Sequence, residues 1–107
     1  MAGRILIADT TAAARTVLAA KLGAARYEIL QAGIHEDLFA RVQRDHPDMV
    51  ILGGNREAGG LDALATCQRL KSDPVLRTIP VIVTDAVPGR GTRLDALEAG
   101  ADDYLAK

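Results

Sequence analysis

Apolar residues come in two alternating patterns along this chain. Short continuous runs, Ile5-Leu6-Ile7-Ala8, Met49-Val50-Ile51-Leu52 and Ile79-Pro80-Val81-Ile82-Val83-Thr84, suit strands covered on both faces. Tyr27-Glu28-Ile29-Leu30-Gln31-Ala32 is shorter in apolar content and suits a sheet edge, and Asp103-Tyr104-Leu105 makes a fifth strand. Between the runs the period changes to that of a helix. Ala14, Val17, Leu18 and Leu22 share one face, with Asp9-Thr10-Thr11 supplying capping oxygens ahead of them and Gly23 as the stop. Leu38, Phe39 and Val42 mark a second helix that ends at His46-Pro47, because a residue before proline is disfavoured in the helical region. Leu61, Leu64, Cys67 and Leu70 or Lys71 mark a third that ends at Asp73-Pro74, and Leu94 and Leu97 a short fourth closed by Gly100.

Regular βα alternation predicts an α/β domain, a doubly wound five-stranded parallel sheet with right-handed crossovers and the flavodoxin-like order 2-1-3-4-5. A doubly wound sheet needs helices on both faces, and no helix follows the fifth strand within residues 1–107. The final helix being absent, one face is expected to be thinly covered. The chain is then read as a fragment of a longer protein or as one whose cover comes from a partner.

Composition narrows the function. Thirteen basic residues against fourteen acidic ones give a formal charge of −1, no general field for nucleic acid or an anionic membrane. The single Cys67 forms no internal disulfide, and no apolar segment approaches the ~20 residues of a membrane span, so the expectation is a cytoplasmic protein. Gly54 to Gly59 has the glycine spacing of a phosphate-binding loop, yet Gly60 and Leu61 stand where lysine and a hydroxyl would hold phosphate and magnesium. Gly89-Arg90-Gly91 opens like a dinucleotide fingerprint, but Leu94 takes the third glycine's place. His35 and His46 have no partners at metal-ligand spacing and read as solvated, and Cys67 reads as a small core residue. Working groups in open α/β sheets lie at the carboxyl ends of strands, and the central strand ends there on Gly53-Gly54, with no side chain for chemistry.

Several phrases carry a family resemblance. Arg4-Ile5-Leu6-Ile7-Ala8-Asp9, Pro47-Asp48-Met49-Val50-Ile51-Leu52, Ile79-Pro80-Val81-Ile82-Val83 and Gly100-Ala101-Asp102-Asp103-Tyr104-Leu105-Ala106-Lys107 resemble the CheY-like receiver domain of two-component (phosphorelay) response regulators over the whole chain. Cys67-Gln68-Arg69-Leu70-Lys71-Ser72-Asp73-Pro74 and Gly89-Arg90-Gly91-Thr92-Arg93 further resemble receivers of PleD-type diguanylate cyclases. In a working receiver, two acidic residues hold magnesium, an aspartate accepts the phosphoryl group, a Ser or Thr binds its oxygens and a lysine neutralises charge. The resemblance puts Asp9 and Thr10 at the acidic pair, Gly53 at the acceptor, Asp85 at the hydroxyl and Lys107 at the lysine.

That set implies a degenerate receiver, not an enzyme, with no cofactor and Mg²⁺ binding weak or lost, Asp9 being the residual metal candidate. Two readings of Asp85 stand: an ion pair with Lys107 that fixes one conformation, or a carboxylate pointing to solvent. Tyr104 falls at the family's switch-aromatic position, and the expected contact surface is Arg90 to Ala99, with Arg90, Arg93 and Tyr104. The implied partner is a protein, a neighbouring effector domain or a second copy, with no nucleic acid or membrane bound by this domain. Two alternatives are kept: phosphoryl transfer to an unconventional acceptor, Asp9 or Asp85, and a small-ligand-binding flavodoxin-like module using the Gly53 to Gly60 loop.

Overall fold

The computed structural model describes residues 3–8, 12–32, 38–53, 63–85, 94 and 96–106, with the backbone alone at 12–14, 63, 64, 85, 105 and 106. Strands β1 (Arg4–Ala8), β2 (Glu28–Ala32), β3 (Met49–Gly53), β4 (Val81–Asp85) and β5 (Asp103–Ala106) form one parallel sheet in the order β2-β1-β3-β4-β5. The described helices are α1 (Ala12–Ala24), α2 (Leu38–Asp45) and α3 (Ala63–Lys71), joined by a 3₁₀ turn at Leu76–Thr78 and by helical residues at 94 and 96–98. The predicted strand order is the observed one: each apolar run became a strand, and the first three 3.6-residue stretches became the helices α1, α2 and α3.

Alternation along the strands divides the core in two. Leu6, Ala8, Val50, Leu52, Val81, Val83 and Tyr104 face α2 and α3, where Leu38, Val42, Cys67 and Leu70 complete the larger cluster. Ile5, Ile7 and Ile51 face the other way and meet Leu18, Ala19 and Leu22 of α1. Among the described residues only α1 covers this second face. Thr84 lies on it by alternation from Ile82; its side chain is buried, and its hydroxyl has no hydrogen-bond partner among the described residues.

Two details of α1 depart from the sequence reading. Gly23 does not stop the helix; it lies inside it, and closure comes at Arg26, which adopts φ 70°. The Arg26 amide donates to the Gly23 carbonyl at 2.9 Å and the Tyr27 amide to the Leu22 carbonyl at 3.3 Å, the paired bonds of a left-handed helix cap. Val17, expected on the buried stripe, is 52% exposed. Leu18, Ala19 and Leu22 define the sheet-facing stripe, and Val17 stands one step, about 100°, off Leu18 around the helix.

Gly100 does end the last helical segment. Its amide donates to the Leu97 carbonyl at 3.1 Å, the Ala101 amide to the Ala96 carbonyl at 3.0 Å, and its φ of +94° is one that L-residues rarely adopt.

Candidate functional site

Parallel pairing brings the carboxyl ends of β1, β3, β4 and β5 to one edge of the sheet. Ala8 is paired with Leu52, Gly53 with Thr84, and Asp85 with Ala106. Because each face of the sheet packs its own apolar cluster, a one-residue slip would move every core side chain of a strand to the opposite face and break the packing of both clusters, so this alignment of strand ends is strongly specified. Gly53 is buried at the end of β3, between β1 and β4. Whatever chemistry occurs at this edge proceeds without a side chain from the central strand.

Of the other candidates, Asp9, Thr10, Lys107, Arg90 and Arg93 lie outside the described residues, as does the Gly54 to Gly60 loop. Asp85 is placed by its backbone at the end of β4, next to the β5 residue that precedes Lys107. Its pairing with Lys107 falls outside the described side chains. Tyr104 is 6% exposed and packs in the larger core cluster with Val83 and Cys67, so it fills the interior and is not part of the outer contact surface. Leu94 and Leu97 do face outward, at 53% and 48% exposure. His46 is exposed, as read from sequence. Among the described residues, no three His, Cys, Asp or Glu side chains gather as a metal cluster, and no helix is long and apolar enough to cross a membrane.

The opposite edge of the sheet carries a polar network that the sequence did not announce. Arg4 donates from Nε to Glu28 Oε2 at 3.2 Å and from Nη1 to the Asp45 carbonyl at 2.8 Å, while its amide donates to Asp48 Oδ2 at 2.7 Å. Asp45 in turn accepts from Arg41 at 2.5 Å and Arg44 at 3.2 Å, and these two guanidinium groups hold its carboxyl below the ordinary carboxylate range. Cys67 is fully buried; desolvation pushes its thiol pKa up, which suits a core residue rather than a nucleophile.

A five-stranded parallel sheet wound 2-1-3-4-5, with its candidate site at the carboxyl ends of the central strands, defines the flavodoxin-like class. Within that class the chain belongs to the response regulator receiver domain family, whose model matches residues 5–107. It is 40% identical over 107 residues to the response regulator PleD of Caulobacter vibrioides, covering 100% of this chain and 23% of that protein. It is 33% identical over 103 residues to the phosphate regulon transcriptional regulatory protein PhoB of Pseudomonas aeruginosa, covering 96% of this chain and 44% of PhoB. A solved response regulator from Chloroflexus aurantiacus superposes with a TM-score of 0.88 at 28% identity, over 98% of this chain and 84% of that one. The chain thus spans about a quarter to under a half of these curated relatives.

Proposed function

We propose that this chain is a receiver domain that has lost its phosphoacceptor and works through phosphorylation-independent protein contacts, as one part of a longer cytoplasmic signalling protein. The observation that carries the reading is Gly53, buried at the end of the central strand, where a receiver presents its aspartate. Glycine offers no carboxylate, so an acyl phosphate has no atom on which to form at this position. Magnesium, which the family uses, does not fit the donors left: Gly53 supplies no carboxylate and Thr10 replaces an acid, leaving Asp9 alone of that set. No step is derived through it, and the domain is read as non-enzymatic.

The contact surface is assigned to the last helical segment, where Leu94 and Leu97 are exposed at i, i+3 spacing, flanked in sequence by Arg90 and Arg93. Buried Tyr104 supports a conformation in which the family's switch aromatic is turned inward. The partner is a protein, a neighbouring effector domain or a second copy. An association with a diguanylate cyclase domain is suggested by the likeness to PleD and the phrases shared with PleD-type receivers.

Incubation with a small acyl phosphate donor and magnesium, followed by intact-mass measurement, tests the reading. The wild-type chain is expected to stay at its unmodified mass. A phosphate adduct that disappears in Asp85→Ala or Asp9→Ala would overturn it in favour of an unconventional acceptor.

A further inference from the structure

Among the described residues of the last helical segment, Ala96 and Ala99 are the ones that pack against the core. Ala96 is fully buried, whereas Leu94, Leu97 and Glu98 are exposed. What fastens its end is α3. Cys67 Sγ lies 3.7 Å from the Ala99 carbonyl, and Lys71 lies against Gly100 so closely that a Cβ there would meet Lys71 Cβ at 3.0 Å. The Lys71 ammonium then reaches Asp102 Oδ2 at 2.6 Å, the Ile79 carbonyl at 2.8 Å and the Arg77 carbonyl at 3.2 Å. Asp102 Oδ2 also accepts the Val81 amide at 2.8 Å, and the Asp102 amide returns a bond to the Val81 carbonyl at 2.8 Å.

One ammonium therefore joins three pieces of chain: the end of α3, the turn entering β4 and the turn entering β5. All three of its protons have acceptors, and its side chain is 15% exposed. A surface ion pair alone is worth little; here the Asp102 side chain is 51% exposed, but the ammonium is largely withdrawn from water and both partners make further hydrogen bonds to backbone.

We propose that Lys71 is a positioning residue, a clip that makes α3 and the β4–β5 edge move as one body and so sets where Leu94 and Leu97 are presented. The role in presenting Leu94 and Leu97 rests on the contact surface proposed above, whereas the test of the clip itself reads only α3 and the turns into β4 and β5, so that the two can fail independently. With the clip intact, displacement of Leu94 and Leu97 by a partner is transmitted to α3. Without it, the turn at Gly100 to Asp102 opens on its own.

Native-state amide hydrogen exchange distinguishes a clip from an ordinary stabilising contact. In Lys71→Met, exchange at Gly100, Ala101, Asp102 and Val81 is expected to accelerate about tenfold, while Leu6, Ile7 and Val50 in the central strands keep their wild-type rates. Asp102→Asn, which keeps the side chain's shape, should reproduce the local effect, and Lys71→Arg should restore part of the protection. Equal acceleration at every amide would overturn the proposal, since Lys71 would then contribute only to global stability, and so would unchanged exchange at 100–102 in both variants. If Lys71→Met does not fold, Asp102→Asn carries the test by itself.

Discussion

Adding the same methyl group at two glycines should move stability in opposite directions. At Gly100 the backbone sits at φ +94°, and an added Cβ would meet Lys71 Cβ at 3.0 Å and Cγ at 3.1 Å. A positive φ costs an L-residue about 1–2 kcal/mol. The forced contact adds about 1–3 kcal/mol, because Lys71 cannot swing aside while its ammonium is bound to Asp102 and two carbonyls. Reduced freedom of the unfolded chain returns about 0.4–1 kcal/mol. Gly100→Ala is therefore expected to destabilise by about 1–5 kcal/mol. Gly23 lies inside α1, and a Cβ added there would have nothing within 4 Å, so Gly23→Ala should stabilise by about 0.5–1 kcal/mol through helix propensity. Urea unfolding followed by far-ultraviolet circular dichroism measures both, the midpoints moving apart with an unchanged slope. A Gly100→Ala variant within about 0.5 kcal/mol of wild type would refute the argument, since neither strain nor overlap could then be present.

Arg26→Gly relieves a left-handed residue at the cap of α1 and should raise stability by about 0.5 kcal/mol, read from the same urea curves. Leu52→Ala, at a fully buried position in the central strand, should cost about 2–5 kcal/mol and lower the thermal midpoint accordingly. Cys67, buried and with a raised thiol pKa, should resist a disulfide reagent at mildly alkaline pH until the protein unfolds; labelling at the rate of an exposed thiol would contradict its placement. The carboxyls of Asp45 and Asp102 both sit below their ordinary range. Arg41 and Arg44 hold the first there; desolvation pushes the second up, but bonds from Lys71 and the Val81 amide outweigh it. A depressed folded pKa contributes stability above the unfolded value and loses it as pH falls through the folded one, so stability should decline below about pH 4, and Asp102→Asn should flatten that acid limb.

The elements and their order were legible in the chain because each is a local pattern. Continuous apolar runs made β1, β3 and β4, the 3.6-residue period made α1, α2 and α3, and Gly100 closed the last helical segment as read. The end of the central strand on Gly53 was equally legible, and with it the lack of a side chain at that position. Tertiary structure decided what joins residues far apart in sequence. Arg4 meets Glu28, Asp45 and Asp48 because β1 lies between β2 and β3; Lys71 meets Asp102 because α3 packs beneath the turn into β5. It also decided that Tyr104 turns into the core and that α1 runs past Gly23 to a cap at Arg26. Periodicity tells which residues share a face of one element. Which faces meet, and which charges fall within a hydrogen bond of one another, depends on the register of the whole sheet.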